Sequence, residues 1–304
     1  MPYPISLRNL VNDMKLSHIA LVVVLSFLSA FAVVKSAGLQ NGNTSAQTAR
    51  ETAFERITRT NTLRCGYAIA TPWTMIDPNT KQLSGVNYDM TNAVAQKIGL
   101  KVEWVEETGW GVAEQGLMSN RYDMLCGNVC IDPRRTRAAT FSTPFLHIPL
   151  LAVVRADDTR FDNGLKSINS KDIKIGVKNG HVFEFTANEN FPLAQKIYAN
   201  DISDDTEFFE MLNTKKIDIA FAGQITIDLY NEKNPDKKIR SLEEPVRFCN
   251  GAFMLPLGDD RLKYMVDNTI GELNSSGQIK EILSRFVKLD SRYIRAPTLP
   301  FQEK

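Results

Sequence analysis

The chain has 304 residues, of which 36 are Lys or Arg and 35 are Asp or Glu, so its formal net charge is +1. A near-neutral chain with 43% hydrophobic and 23% charged residues is typical of a globular protein, and it excludes a strongly basic nucleic-acid-binding surface. We therefore expect no nucleic-acid partner. The length exceeds that of one typical domain and favours two units of roughly 100–150 residues each.

The N-terminal segment carries an export signal. An apolar run from Ile19 to Val34 follows the basic residues Arg8 and Lys15 and contains small residues near its end. A spanning helix needs about 20 apolar residues, so this shorter run favours a cleavable signal peptide. The sequence predicts that residues 1–34 are a signal peptide or, if uncut, an inner-membrane anchor. It predicts a linker at residues 35–54, rich in Ser, Asn and Gly.

Strand and helix patterns alternate along the remaining chain. The strand segments of the first series are LRCGYAI, KVEWVE, YDMLCGNV and LLAVVRA, and its helix segments are VNYDMTNAVAQKIGL, ended by Gly99, and GVAEQGLMSNR. A second series with the same order begins near Ile168. This alternation predicts an α/β fold built on mainly parallel sheets flanked by helices.

Two extended segments, HIPLLAVV and VRFCNGAFMLP, join the two series. They predict a first lobe formed by residues 55–152 and 250–292, a second lobe formed by residues 153–249, and a C-terminal tail at 293–304. The last part of the first lobe reads as two helices split at Ser275–Gly277. Because open α/β sheets bind ligands at the carboxyl ends of their strands, we expect a ligand cleft at the hinge between the lobes.

The four cysteines are Cys65, Cys126, Cys130 and Cys249. An exported chain can form disulfides, but four cysteines allow three pairings and the spacing does not choose among them. Cys126 and Cys130 are too far apart in an extended segment to bridge each other. No histidine accompanies them at a usual metal-ligand spacing, so we expect no metal site.

Seven segments follow one another over about residues 55–292: RITRTNTLRCGY, LSGVNYDMTNAVAQKIG, WGVAEQGLMSNRYDML, IDPRRTRAATFSTPF, IGVKNGHVFEF, KKIDIAFAG and LNSSGQIKEILSRF. Their order resembles that of the polar amino-acid-type solute-binding proteins of ABC importers, the family 3 extracellular proteins with the two-lobed type II periplasmic-binding fold. The resemblance implies a periplasmic protein that closes on a small carboxylate-bearing solute, an amino acid or related organic acid, without a cofactor. It implies delivery of the solute to an ABC transporter permease in the inner membrane.

The resemblance implies that Arg135 grips the ligand carboxylate, since a planar guanidinium can donate two parallel hydrogen bonds. From the residues alone, the alternative is a solvated basic turn formed by Arg134, Arg135 and Arg137. The resemblance also places Asn128 and Cys130 at the ligand, where relatives present backbone groups and a hydroxyl. A Cys130 thiol would be a weaker donor than that hydroxyl, and its alternatives are a buried filler or half of a disulfide.

Aromatic residues and a helix start complete the expected site. Trp110 and Trp73 stand where relatives carry apolar or aromatic residues over the ligand, with core packing as the alternative. The turn Gly180-His181-Val182 matches a helix start whose backbone N–H groups favour a carboxylate. His181 is expected either to contact the ligand or to face solvent.

The pair Gly223 and Gln224, at the end of IDIAFAG, departs from the family pattern. Amino-acid binders of this kind usually place an acidic residue there, as the partner of the ligand α-ammonium. An ammonium without that partner loses a charge-assisted bond. We therefore expect a ligand that lacks an α-amino group or takes its acid from elsewhere in the cleft.

Two other functions use the same fold. One is a dehydratase of cyclohexadienyl type, which would need a carboxylic acid in the cleft; Glu184 is the nearest candidate in the sequence. The other is a ligand-sensing module tethered by an uncut N-terminus. Neither G-x-S-x-G nor H-E-x-x-H occurs in the chain, and its three histidines argue against a histidine-based triad.

Overall fold

A computed structural model describes residues 50–286 and 296–297 of the protein. The first series of elements is α1 (Ala53–Thr60), β1 (Thr62–Tyr67), β2 (Met75–Ile76), β3 (Leu83–Ser84), α2 (Val86–Ile98), β4 (Lys101–Glu107), α3 (Ala113–Met118), β5 (Met124–Cys130), β6 (Ala139–Phe141) and β7 (Leu146–Arg155). The second is β8 (Lys174–Val177), α4 (Val182–Asn190), β9 (Gln195–Tyr198), α5 (Glu207–Asn213), β10 (Ala220–Ala222), α6 (Gln224–Lys233), β11 (Ile239–Pro256), α7 (Asp260–Ser275) and α8 (Gln278–Ser284).

Local sequence signals set the ends of several helices. Helix α1 begins with a capping box, in which Thr52 and Glu55 satisfy each other's backbone N–H groups. Helix α2 ends at Gly99, whose φ of 78° is the left-handed conformation that glycine adopts most easily. Gly277 has the same φ and separates α7 from α8, which confirms the predicted split of the closing helices.

The main sheet has seven strands, in the order β10-β7-β11-β5-β1-β4, with β6 also paired to β11. Strand β1 runs parallel to β4 and β5, whereas β11 runs antiparallel to β5, β6 and β7. The α/β prediction is confirmed, but the sheet is mixed, because the two joining segments pair with each other as the long strands β7 and β11. Strands β8 and β9 form a separate parallel pair.

Two apolar cores lie along these shared strands. The first core packs β1, α2, β5, α7 and α8 and includes the fully buried residues Met90, Met124 and Phe253. The second core packs β8, α5 and β10 and includes the fully buried residues Phe208 and Ile219. Strands β7 and β11 contribute residues to both cores, so they connect them physically.

The opposite face of the β5–β11 region is covered by a smaller cluster that includes Leu125, Val129 and Met254. Successive side chains of a strand point to opposite faces, so these residues alternate with first-core residues on the same strands. Tyr122 fills this face, and its hydroxyl donates a hydrogen bond to the Ala113 carbonyl at 2.6 Å. The strand pattern YDMLCGNV therefore reflects burial on both sides.

Disulfides join Cys65 to Cys126 and Cys130 to Cys249, with Cα–Cα distances of 5.4 and 5.1 Å. The first links β1 to β5, and the second links the end of β5 to β11. The pairing that the spacing left open is thus resolved. The interpretation of Cys130 as a thiol donor is wrong, because its sulfur carries no proton in a disulfide.

The predicted signal peptide or anchor, residues 1–34, lies outside the described residues, as do most of the linker and most of the C-terminal tail. Within residues 50–286, no helix combines the length and apolar character needed to cross a membrane.

Candidate ligand-binding site

A cavity of about 80 Å³ lies where the first and second cores meet. First-core residues such as Ala70 and Ile148 and second-core residues such as Leu150 and Phe221 line it together. Eight of the residues expected at the site line it: Trp73, Trp110, Asn128, Cys130, Arg135, His181, Val182 and Gly223. The structure brings these residues together from distant parts of the chain.

Arg135 is the principal charged group of the cavity wall. It lies on a short 3₁₀ turn, Pro133–Arg137, and its side chain is only 5% exposed, which rules out a solvated basic turn at this position. Its guanidinium donates to the Glu114 carboxylate and to the Gly180 carbonyl. The neighbouring Arg134 is 47% exposed and pairs with Asp132, so only Arg135 faces the cavity.

Two glycines, Gly111 and Gly180, allow two chain segments beside Arg135 to approach each other closely. Gly180 has a φ of 65°, and a Cβ there would lie 2.8 Å from the Gly111 Cα. A Cβ on Gly111 would lie 2.8 Å from the Asn179 side-chain nitrogen. A larger residue at position 180 would push the two backbones apart, so Gly180 supports the site through its backbone although it does not line the cavity.

At the start of α4, two of the three backbone N–H groups expected to bind a ligand already have acceptors within the protein. The Gly180 N–H donates to Glu184 Oε2 at 2.7 Å, and the His181 N–H donates to the Lys178 carbonyl at 3.1 Å. Val182 lines the cavity, and no acceptor in the described part of the chain takes its N–H. Of the three expected amides, Val182 is therefore the one available to a ligand.

A second charged pair lies beside the cavity. The Lys178 side chain is fully buried, and its Nζ donates to Asp205 Oδ1 at 2.7 Å and to the Ser203 carbonyl. The Asp205 side chain is 17% exposed and lines the cavity. Burial raises the pKa of Asp205, although the nearby Lys178 ammonium opposes that shift.

Gly223 and Gln224 separate in the structure. Gly223 lines the cavity at the N-terminus of α6, whereas Gln224 does not line it. The Gln224 side chain donates to Asp228 at 2.8 Å and accepts from Ser241 at 2.9 Å, so both of its polar atoms are hydrogen-bonded within the protein. Asp218 pairs with Arg160 at 2.6 Å and is likewise absent from the cavity wall.

The model of the bacterial extracellular solute-binding proteins, family 3, matches residues 63–288 of the chain. The chain belongs to this family. A probable amino-acid ABC transporter-binding protein of Haemophilus influenzae is 25% identical over 235 residues, which cover 75% of this chain and 85% of the relative. A cyclohexadienyl dehydratase of Pseudomonas aeruginosa is 23% identical over 264 residues, covering 86% and 92%.

The solved structures show the same architecture. An ancestral amino-acid-binding protein, described as a precursor of cyclohexadienyl dehydratase, matches with a TM-score of 0.69 at 22% identity. The match covers 78% of this chain and 100% of that chain. The family member described here therefore has the expected two-lobed type II periplasmic-binding fold.

Within this family fold, much of the cavity wall is apolar and aromatic. Trp73 is 9% exposed and belongs to the first core while also lining the wall. The Trp110 ring lies 4.8 Å from the His181 ring, centroid to centroid, at an interplanar angle of 52°. Asn128 is held by Asn87, which accepts its backbone N–H at 3.0 Å and also donates to its side-chain oxygen.

His181 is buried, so the expectation that it might face solvent is wrong. It is 6% exposed, caps α4 by accepting from the Phe183 N–H at 3.4 Å, and contacts the Phe183 ring edge-on. Burial lowers the pKa of His181 well below its ordinary value, and the positive charges of Lys178 and Arg135 lower it further. A protonated His181 would add a third positive charge beside those of Lys178 and Arg135.

Because the His181 imidazole is buried, we expect the free energy of unfolding to fall in mild acid. The unfolded chain binds a proton at His181 near pH 6.5, whereas the folded chain does not. The contribution of His181 to the free energy of unfolding is therefore fully present above that pH and is lost as the pH falls. The slope approaches about 1.4 kcal/mol per pH unit. Urea unfolding from about pH 7.5 to 5.5 measures it.

The matched variant is His181→Asn, which keeps a side-chain acceptor for the helix cap. We expect its free energy of unfolding to vary less with pH than that of the wild type. The raised pKa of Asp205 acts with the opposite sign, because its stabilising effect is lost as the pH rises above its folded pKa. That contribution is present in both proteins, so equal pH slopes would contradict the role of His181.

Sequence reasoning missed two residues of the wall, Asp205 and Cys249, and the ionic partners of wall residues, Glu114 and Lys178. Lys178 follows directly after β8, and side chains beyond the carboxyl end of a parallel strand are the expected ligand contacts of such sheets. That signal was available for Lys178. Asp205 and Glu114 lie 27 and 21 positions from their ionic partners, and no local pattern marks them.

Proposed function

We propose that this family member captures a small carboxylate-bearing solute, an amino acid or related organic acid, and delivers it to an ABC transporter permease in the inner membrane. One observation carries the proposal: the buried guanidinium of Arg135 lies in the wall of a cavity between two apolar cores. A ligand that contacts both sides at once stabilises the closed arrangement. We place the lobe boundaries at residues 55–152 with 250–292, and at 153–249.

The proposed ligand pose follows from the charges of the wall. The ligand carboxylate binds the Arg135 guanidinium and the Val182 N–H, since both residues line the cavity. Gly223 offers no acid to an α-ammonium. Asp205 lines the same cavity and accepts from Lys178 at Oδ1, so it is the acid that an amino-acid ligand would use.

A thermal-shift screen tests the proposal on the purified protein. The compounds are amino acids, their amino-free analogues and dicarboxylates. A ligand at 100 times its Kd stabilises the native state by about 2.7 kcal/mol, which raises the Tm by roughly 5–10 °C for a domain of this size. If no carboxylate of the panel raises the Tm, the proposed ligand class is wrong.

Asp205→Asn is expected to separate amino acids from amino-free acids. Loss of a charge-assisted bond of about 1.5–3 kcal/mol lowers the affinity for an amino acid about 10- to 150-fold. The affinity of the variant for the matching amino-free acid should stay within about threefold of the wild type, since that ligand has no ammonium. Titration calorimetry measures both ligands on the same variant.

Asp201→Asn is the control for this comparison. Asp201 accepts the Asn179 N–H at 3.2 Å and does not line the cavity. We expect it to bind amino acids and amino-free acids as the wild type does. If Asp205→Asn weakens both ligand types equally, Asp205 is not the ammonium partner.

The dehydratase of Pseudomonas aeruginosa makes catalysis the second candidate. Both carboxylate oxygens of Glu184 are already used, by the Gly180 N–H and by the Tyr198 hydroxyl, and Glu184 does not line the cavity. Asp205, with its raised pKa, is the better placed acid. We propose a non-catalytic protein, so incubation with a cyclohexadienyl carboxylic acid should yield no aromatic product detectable by ultraviolet absorbance.

We propose a periplasmic location, in keeping with the extracellular family and the export signal. An uncut N-terminus would tether the protein to the inner membrane, either as a transport component or as a ligand-sensing module. Fractionation of cells, combined with the mass of the mature chain, distinguishes the cut from the tethered form. A protein found in the cytoplasm would contradict the proposed location.

A further inference from the structure

The guanidinium of Arg135 is already neutralised inside the protein. Its Nη1 donates to the carboxylate of Glu114, which lies in the first turn of α3. The Glu114 side chain is 18% exposed, so the pair is largely removed from solvent. Neither the family motif nor the sequence spacing assigns Glu114 to the site; it does not line the cavity itself, but it is the counter-ion of the arginine that does.

The N–H groups of Arg135 that a ligand carboxylate would use already bond to acceptors of the protein. A bidentate grip on a carboxylate uses two N–H groups on one edge of the guanidinium. Nη1 donates to Glu114, and Nη2 donates to the Gly180 carbonyl, with a longer contact of 3.5 Å to the Trp110 carbonyl. A ligand carboxylate that engages Nη1 therefore competes with Glu114 for this nitrogen.

The two protein acceptors differ in charge. The Gly180 carbonyl is neutral, whereas Glu114 carries the same negative charge as the incoming group. Two carboxylates sharing one cation in a partly buried site repel each other, since the low local dielectric strengthens the repulsion. Glu114, rather than Gly180, is therefore the acceptor that opposes an anionic ligand.

We propose that a ligand carboxylate binds Arg135 by displacing Glu114, so that Glu114 sets the affinity of the site for carboxylates and its preference for charged over neutral ligands. This inference rests on the proposed function. The partial exposure of Glu114 lets its side chain rotate toward solvent when it leaves the guanidinium. Glu114 is thus a specificity-determining residue that competes with the ligand.

Acetate and acetamide test the displacement, because they have nearly the same shape and differ in charge. Binding of each to the full chain is followed by the fluorescence of Trp110 and Trp73, with sodium chloride as the ionic-strength control. We expect Glu114→Gln to bind acetate about tenfold more tightly than the wild type, because the repelling charge is gone. Its affinity for acetamide should change less than about twofold.

Glu189→Gln is the matched control. Glu189 lies 3.5 Å from the guanidinium of Arg134 and is 65% exposed, so the variant removes a carboxylate beside the neighbouring arginine. It should bind acetate as the wild type does. Glu114→Asp keeps the charge on a shorter side chain, and it should bind acetate with an affinity between those of the wild type and Glu114→Gln, which tests the inference if the Gln variant does not fold.

Acetate affinity that is unchanged or weaker in both Glu114 variants would overturn the displacement. The same holds if acetate and acetamide gain equally, because the effect would then be one of shape. Failure of the proposed function looks different: neither acetate nor any amino acid would then change the fluorescence or the Tm of any of these proteins, and the inference would fall with it.

Discussion

Replacing Arg135 with alanine is expected to lower the affinity for a stabilising amino acid or organic acid about 10- to 150-fold, the loss of a charged hydrogen bond worth about 1.5–3 kcal/mol. The variant should also be less stable, because Glu114 and the Gly180 carbonyl lose their shared donor. We expect a cost of about 2 kcal/mol, which lowers the Tm by roughly 4–8 °C. Calorimetric titration and thermal unfolding measure the two effects separately.

Arg134→Ala is the control, since Arg134 is half-exposed and turned toward Asp132 and Glu189. It removes the same charge one position away and should leave affinity within about twofold of the wild type. If the Arg135 variant binds as tightly as the wild type, Arg135 holds the fold together without holding the ligand. Combining Arg135→Ala with Glu114→Gln should recover stability but not affinity, because no unpaired charge then remains.

Replacing Lys178 with methionine is expected to cost about 3–5 kcal/mol of unfolding free energy, since it leaves the Asp205 carboxylate without its cation. Lys178 is fully buried, so solvent does not take over its role. The expected fall in Tm is roughly 10 °C. Urea unfolding gives the free energy, and thermal unfolding provides an independent check.

The double variant Lys178→Met with Asp205→Asn should recover much of that loss, because a neutral amide does not need the ammonium. Lys237→Met is the exposed counterpart: Lys237 pairs with Glu210 at 3.3 Å, both side chains are about half-exposed, and its loss should cost less than about 1 kcal/mol. If the double variant is no more stable than Lys178→Met alone, packing of the lysine stem rather than the ion pair accounts for the cost.

Periodicity and capping residues were enough to predict most elements. The pattern VNYDMTNAVAQKIGL with Gly99 gave the position of α2, and the glycine at 277 gave the break between α7 and α8. The pairing of the strands was harder to predict from the sequence. Nothing in HIPLLAVV or VRFCNGAFMLP states that these segments pair antiparallel with each other, since that depends on the fold as a whole.

Some residues of the candidate site could be predicted from the sequence, and others could not. Arg135 stands in a motif that can be recognised in the sequence, and the structure places it in the cavity wall. The partners that decide its chemistry, Glu114 and the Gly180 carbonyl, come from other elements and could not be predicted from spacing. The buried state of His181 was also inaccessible, because burial depends on the approach of the Trp110 loop.

Strands β7 and β11 determine how the two cores can move. On β7, Leu146 and Ile148 belong to the first core, and the residues from Leu150 onward belong to the second. The β7–β11 ladder changes register on both sides of Pro245, which has no N–H to donate, while the disulfide at Cys249 ties the neighbouring part of β11 to β5. We therefore expect β11 to bend most easily between Ser241 and Arg247, where its pairing with β7 is irregular.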